Sequence, residues 1–335
     1  MNMKQTPISL SIIVVSYNTK DLTLATLDSV VSDLDTSDLL ASTELIIVDN
    51  KSTDDSVQAI KKWIGATQKK HQDLGCKLIE NSKNSGFAHA NNLGIDHAKG
   101  NFFFLLNSDT IVQPGSISQL LTRFSEHPIN DETAYVTSYA GKIDKLGMLA
   151  ASLLNTDGSY QAQGGDTPTL FTLAAHLLFV DDLPLIGSFI PSTQHTGKRT
   201  FEPRFALEQK GWVAATAVMV RKELIQDIGN MDTNIFMYGE DVEWSMRAKN
   251  HHWDIAIDHD AKVMHYGSAS SHSSRAIKGE FLGYKYIWAK HKPLWQRPLL
   301  KGLLQLACVL RVLLFGTILK QQERALPYRE LLGEL

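Results

Sequence analysis

Apolar residues along the first 140 positions fall into two alternating patterns. Short unbroken runs recur at Ile8–Ser16, Glu44–Val48, Lys77–Glu80 and Phe102–Leu106, and between them apolar positions are spaced three and four apart. The runs are too short for ordinary helices and suit strands buried on both faces, as in a parallel sheet. The spaced segments predict helices: one with Leu24, Leu27, Val30, Val31 and Leu34, one with Val57, Ile60 and Ile64, one over Phe87–Lys99 stopped by Gly100, and one from Pro114 through Phe124. Asp21 is expected to cap the first helix and Ser52 or Thr53 the second. Tyr135–Tyr139 reads as a further strand. The alternation predicts an α/β fold, a mostly parallel sheet flanked by helices.

Beyond residue 140 the pattern weakens. Residues 141–210 contain Gly164-Gly165 and several prolines, and predict loops and short elements with one helix at Leu170–Phe179. Trp212–Val220 reads as a strand, Lys222–Ile228 as a helix ended by Gly229, and Glu240–Asn250 as another helix. Trp253–Ile257 and Ala261–His265 read as two short strands around Asp258-His259-Asp260. From Glu280 to Leu319 the pattern is helical. The expected organisation is a catalytic domain over 1–270, with halves at about 8–140 and 141–270, and a helical C-terminal region over 271–335.

Composition narrows the class. The chain has 335 residues, 43% apolar and 21% charged, which describes a globular protein. Thirty-three basic against 36 acidic residues give a net charge of -3, which disfavours nucleic acid as a partner. The two cysteines, Cys76 and Cys308, lie far apart, so neither a disulfide framework nor a cysteine metal site is expected, in keeping with a reducing, cytoplasmic setting. The N-terminus has no secretory-signal pattern.

Three of the predicted strands end in polar clusters: Ser16-Tyr17-Asn18, Asp49-Asn50 and Asn107-Ser108-Asp109. In open α/β sheets ligands bind beyond the carboxyl ends of the strands, so parallel strands would gather these clusters at one edge. Asp109 is a candidate for a hard divalent cation or, alternatively, a turn aspartate. Asp49 is placed to accept from a ribose hydroxyl or a base N–H, or to close an Asx turn. Asn84 and Gly86, with Asn91, can bring amide groups near a phosphate or sugar, though a glycine turn before a helix is common. Glu240-Asp241 opens a helix. One carboxylate there can face a cleft as a general base, and an ordinary acidic helix start is the competing reading. Glu243 and Arg247 are spaced as an i,i+4 ion pair. His265 gains interest if its strand ends near Asp109.

The ordered set Val14-Val15-Ser16-Tyr17-Asn18, Ile47–Asp54, Asn84-Ser85-Gly86-Phe87-Ala88, Asn91-Asn92-Leu93-Gly94, Leu106–Thr110 and Tyr238–Trp244 resembles family 2 glycosyltransferases of the GT-A fold, and among them bacterial rhamnosyltransferase-like members. The likeness runs from residue 8 to about 267. It implies an inverting, metal-dependent sugar transfer from a nucleotide-diphosphate donor, first dTDP-rhamnose, to a hydroxyl of a glycan or lipid-linked saccharide in cell-surface polysaccharide synthesis. It further implies that Val15, Ser16, Tyr17, Asp49, Asn84, Gly86, Asn107 and Glu240 contact substrate, that Asp109 and His265 hold Mg2+ or Mn2+, and that Asp241 is the base. Two departures stand out. The metal motif reads Asn107-Ser108-Asp109, with one carboxylate in place of two. Gly229-Asn230-Met231-Asp232 replaces the family's usual Gly-Gly-Phe-Asp before the base.

Other readings fit the sequence less well. A dinucleotide-dependent oxidoreductase lacks its Gly-x-Gly-x-x-Gly after the first strand. A nucleotidyltransferase wants a Gly-rich basic loop where Ser16–Lys20 stands. A non-catalytic sugar- or nucleotide-binding protein of the same fold would have less reason to carry Asp49, Asp109 and Asp241. The C-terminal stretch interleaves Lys285, Lys290, Lys292, Arg297, Lys301 and Arg311 with Trp288, Trp295 and a leucine-rich run. It reads either as a segment lying in a membrane interface or as a helix pair packed on the catalytic domain or forming a homodimer contact.

Overall fold

The computed structural model describes residues 9–128, 137–138, 141–185, 187–194, 205–267 and 274–335. One nine-stranded sheet organises the first 267 residues. Its strands are β1 Leu10–Ser16, β2 Thr43–Asp49, β3 Gly75–Glu80, β4 Phe102–Asn107, β5 Thr110–Val112, β6 Leu146–Leu154, β7 Leu207–Gln209, β8 Ala217–Arg221 and β9 Asp254–His265. They run in the order β7-β9-β6-β8-β4-β1-β2-β3, with β5 paired to β9. Strands β4, β1, β2 and β3 are mutually parallel, and β8 runs antiparallel between β4 and β6. The two halves expected from the sequence thus share one sheet through the β4–β8 pair.

Strand residues alternate between two buried layers. Ile12, Val14, Phe104 and Leu106 pack on one face with α1 (Lys20–Thr36), α2 (Ser56–Lys70) and α4 (Ser116–Glu126). Ile13, Phe103 and Leu105 pack on the other with α3 (Phe87–His97), α6 (Lys222–Ile228) and α7 (Glu240–Asn250). That double burial is why the runs carry no polar alternation. A third cluster joins α5 (Leu170–Leu177) and α7 to α8 (Ser274–His291), α9 (Gln296–Arg311) and α10 (Gln322–Glu334).

Several sequence expectations need correction. Residues 141–210 do not form only loops and short elements, because β6 lies buried in the middle of the sheet. Its Gly, Ala and Ser content gives a weak strand propensity. Gly147 is required because a Cβ there would fall 2.4 Å from Leu224 Cδ1. The expected strand over Trp212–Val220 is two pieces: Trp212–Val213 pairs with Gly164–Gly165, and β8 starts at Ala217. The two short strands near the end are one strand, β9, whose register shifts between Asp258 and Lys262. Buried Asp258 there accepts from Arg123 Nε at 3.0 Å.

The caps also differ from expectation. Helix α1 follows Thr19, with Asp21 inside its first turn, and α2 starts at Ser56 with Asp54 Oδ1 accepting from the Ser56 N–H at 3.1 Å. Ser52 and Thr53 instead bind the β1 loop: Asn18 N–H donates to Ser52 Oγ (3.0 Å) and Thr53 N–H to Asn18 Oδ1 (2.7 Å). Helix α3 ends at His97. Gly100 lies past it, its N–H donating to Ser11 Oγ at 2.9 Å. Of the strand expected at Tyr135–Tyr139, only Thr137 and Ser138 are among the described residues, and they pair with Gly141–Lys142.

Candidate active site

The parallel register gathers the polar strand ends as the sequence suggested. Ser16 pairs with Asp49, and Val15 with Asn107. Asp49 is buried. Its Oδ2 accepts from the Ser52 N–H at 3.0 Å, and its Oδ1 has no hydrogen-bond partner among the described residues. Ser16 is buried against Thr23 (Oγ to Oγ1 3.0 Å), and Tyr17 stands exposed at the loop. Thr19 Oγ1 lies 3.0 Å from Ser108 Oγ, tying this loop to the turn that carries Asp109.

Asn84 is engaged both with its own loop and with Asn50 after β2. Its Oδ1 accepts from Asn50 Nδ2 (3.0 Å) and from the Gly86 N–H (3.1 Å). Gly86 has φ +87°, and a Cβ there would fall 2.3 Å from the Phe236 carbonyl oxygen. This pair sets the entry to α3, so that Phe87, the next residue, reaches the cavity described below.

A cavity of about 420 Å³ opens at this edge. Asn107, Asp109, His265, Glu240 and Asp241 all line it, although they come from three separate segments. Strand β9 explains the convergence. His265 pairs with Thr110 of β5, so the end of β9 returns beside the turn after β4. His265 Nε2 lies 3.4 Å from Asp109 Oδ1, and its Nδ1–H donates to Gln161 Oε1 at 2.6 Å. That bond leaves the Nε2 lone pair directed to the carboxylate side, the arrangement of an imidazole metal ligand held from behind. Asn107 Oδ1 is buried with no partner among the described residues. A carboxylate, an imidazole nitrogen and an orphaned amide oxygen form a set that a hard divalent cation would accept. Among the described residues no cluster of three or more His, Cys, Asp or Glu exists, so ligands beyond this set must come from elsewhere.

Across the cavity, Tyr238 (φ +71°) and Gly239 (φ +110°) make a left-handed turn that aims the first residues of α7 inward. Helix α8 lies directly on this turn through two glycines: a Cβ on Gly279 would meet Met237 O at 2.7 Å, and one on Gly283 would meet Tyr238 O at 2.6 Å. Glu240 is buried, with Oε2 unpartnered among the described residues. Loss of solvation, and then the neighbouring Asp241 charge, push its carboxyl up to about 8. Burial raises Asp241 to about 6, opposed by the Val242 and Ala215 backbone N–H groups. Near neutral pH the pair therefore holds one proton between its two carboxyls.

Residues 11–171, close to half of the chain, match the family described as Glycosyl transferase family 2. Over that stretch the chain is similar to family 2 glycosyltransferases. It is 24% identical over 290 residues to the N-acetylglucosaminyl-diphospho-decaprenol L-rhamnosyltransferase of Mycobacterium tuberculosis, covering 80% of this chain and 83% of the relative. The fold is that of known transferases. A GalNAc-T7 structure with UDP, GalNAc and Mn2+ superposes with a TM-score of 0.57 at 14% identity over 85% of this chain, which spans 48% of that longer protein. The mannosyltransferase PcManGT from Pyrobaculum calidifontis, with GDP-Man and Mn2+, gives 0.51 at 16% identity over 98% of this chain and 84% of that one. Both are held with a divalent cation, so the fold accommodates one.

The cavity also involves residues that no pattern in the sequence marks. Gln161 orients His265, and Gln194, Glu280 and Tyr284 line the cavity, with Gln194 Nε2 donating to Glu280 Oε1 at 2.7 Å. Their segments lacked regular apolar spacing or lay outside the strand-end pattern, so nothing in the sequence marked them.

Proposed function

We propose that the protein moves a sugar, first L-rhamnose from dTDP-rhamnose, from a nucleotide diphosphate to a hydroxyl of a lipid-linked saccharide at the cytoplasmic side of the membrane, inverting the anomeric carbon. The observation that carries this reading is that Asp241 shares one cavity with the Asp109–His265 pair. The Mycobacterium relative, whose name describes rhamnose transfer to a diphosphate-linked N-acetylglucosamine lipid, supports this choice of donor and acceptor.

In this reading the unpartnered Asp49 Oδ1 and the Ser16–Tyr17 loop receive the base and ribose. Asp109, His265 and Asn107 would hold Mg2+ or Mn2+, and that cation would offset the negative charge that grows on the leaving diphosphate. Asp241 removes the proton from the acceptor hydroxyl as that oxygen attacks the anomeric carbon and the bond to the diphosphate breaks. One displacement inverts the centre, so no protein nucleophile is needed. Glu240, keeping its proton at neutral pH, donates a hydrogen bond into the cavity and leaves a single negative charge on the pair.

The test is purified full-length protein with dTDP-rhamnose, Mn2+ and a lipid-diphosphate-linked N-acetylglucosamine. The expected product carries one added sugar of inverted configuration by NMR. Donor at a hundredfold excess over Kd should stabilise the fold by about 2.7 kcal/mol. Absence of both stabilisation and product across a panel of nucleotide sugars overturns the assignment.

A further inference from the structure

Helix α9 and the π-helical turns that follow it, Gln296–Ile318, are long and apolar enough to cross a membrane by length and composition. Yet the helix is two-faced. Leu300, Leu304, Ala307, Cys308 and Arg311 are buried, most of them in the cluster shared with α5, α8 and α10. Arg311 donates to the carbonyls of Leu177 (2.6 Å) and Ala307 (3.4 Å). A helix anchored this way to the body of the protein on one side has only its other side to offer a membrane.

That other side is apolar. Trp295, Leu299, Gly302, Leu306, Val309 and Leu313 recur at steps of four and three, and at about 100° per residue they share an arc of about 80°. The five side chains among them are 41–64% exposed. A row of large exposed apolar residues on a folded domain marks an interaction surface.

Charge selects the occupant. From Phe281 to Gln322 the chain has seven Lys and Arg and no Asp or Glu. Twenty-six of the 33 basic and all 36 acidic residues lie outside that segment, so the remainder of the chain carries a net charge of -10. Arg297, Lys301 and Lys320 are exposed, and at about 100° per residue Lys301 lies about 120° and Arg297 about 160° from the middle of the stripe, on the flank away from its apolar arc. Trp295, at its start, is the amphipathic aromatic type that settles at a bilayer interface. A second copy of the chain would bring this acid-free basic segment against itself, whereas an anionic bilayer complements both its charge and its apolar face.

We infer that the outer face of α9, from Trp295 to Leu313, is a docking surface for an anionic lipid bilayer, lying in the interface with Arg297, Lys301 and Lys320 toward the headgroups. The inference stands on this face alone and does not depend on which sugar is transferred.

The experiment is flotation of the full-length protein with vesicles of phosphatidylcholine alone or of phosphatidylcholine with phosphatidylglycerol. The protein should float with the anionic vesicles and much less with the neutral ones, and salt should weaken it. Lys301→Glu should lower partitioning at least about fivefold, from the worth of one basic residue at an anionic surface. Leu306→Asp with Val309→Asp should abolish it. Each variant should keep the wild-type melting temperature and donor-induced stabilisation, which separates loss of docking from loss of fold. Alkaline carbonate should release the bound protein, since the helix does not span. The inference is overturned if the stripe variants float like wild type, if neutral vesicles bind equally well, or if carbonate fails to release the protein. It is also overturned if wild type ignores vesicles and sediments as a dimer that Leu306→Asp dissociates.

Discussion

His265 and Asp109 are 156 positions apart in the chain, yet Nε2 of one lies 3.4 Å from Oδ1 of the other. The contact exists because β9 is long enough to pass the sheet core and pair its last residue with Thr110, next to Asp109. Gln161, from the segment between β6 and α5, holds the far side of the imidazole.

If this pair holds a cation, the two ligands and their support should differ in effect. His265→Ala and Asp109→Asn should each abolish the Mn2+-dependent part of donor-induced thermal stabilisation. Gln161→Leu touches neither ligand oxygen nor substrate, and should weaken apparent Mn2+ affinity about 10–100-fold, the usual cost of losing a group that orients a ligand. Titrating Mn2+ at fixed donor gives the measurement. Unchanged Mn2+ dependence in His265→Ala would remove the histidine from the set.

Asp241→Asn should leave donor binding near wild type and lower turnover by about 10²–10⁴-fold. A base must be ionised to accept a proton, so wild-type turnover should rise with pH through the Asp241 titration at about 6 and flatten above it. The acid limb should vanish in Asp241→Asn. Single-turnover rates across pH 5–8 test this without interference from product release.

Glu240 carries the opposite sign in stability. Its carboxyl sits at about 8 in the folded protein and near 4.5 in an unfolded chain. Between those values the unfolded state binds fewer protons than the folded one, so this group makes stability fall as pH rises from about 4.5 to 8. Glu240→Gln is neutral at every pH and escapes that loss. It should therefore melt higher than wild type at pH 8, with the gap closing toward pH 4.5. A gap that does not depend on pH would show that Glu240 is already ionised in the fold across this range.

Much of this was legible in the chain because strand ends and helix starts are local events. Phe102–Leu106 reads as a doubly buried strand, and its polar stop puts Asn107 and Asp109 at the carboxyl edge of the sheet. Glu240–Asn250 was readable from its acidic start and apolar spacing. What stayed hidden depends on tertiary packing. Leu146–Leu154 becomes a central strand because Gly147 lets it approach Leu224 and Trp253, and small residues give no local signal of that. The Glu243–Arg247 pair read correctly as i,i+4, but buried Glu243 also accepts from Lys290 Nζ (2.8 Å) and His291 Nε2 (2.9 Å) of α8. Nothing in either segment alone announces that bridge.

The α8 glycines provide the sharpest test of how the site is held. In an isolated helix Gly→Ala stabilises by about 0.5–1 kcal/mol, because glycine loses more backbone entropy on folding. Gly302→Ala on α9 has nothing within 4 Å of the new Cβ and should show that gain in melting experiments. Gly283→Ala meets Tyr238 O at 2.6 Å, a backbone atom that cannot swing aside. The clash should outweigh the helix gain, giving a net loss of about 1–2 kcal/mol. The displaced part is the turn that aims Glu240 and Asp241, so turnover should fall while Mn2+-dependent donor stabilisation, carried on the other wall of the cavity, persists. If Gly283→Ala stabilised the protein like Gly302→Ala and kept full turnover, the close packing of α8 on the Tyr238–Gly239 turn would have no part in positioning the carboxylates.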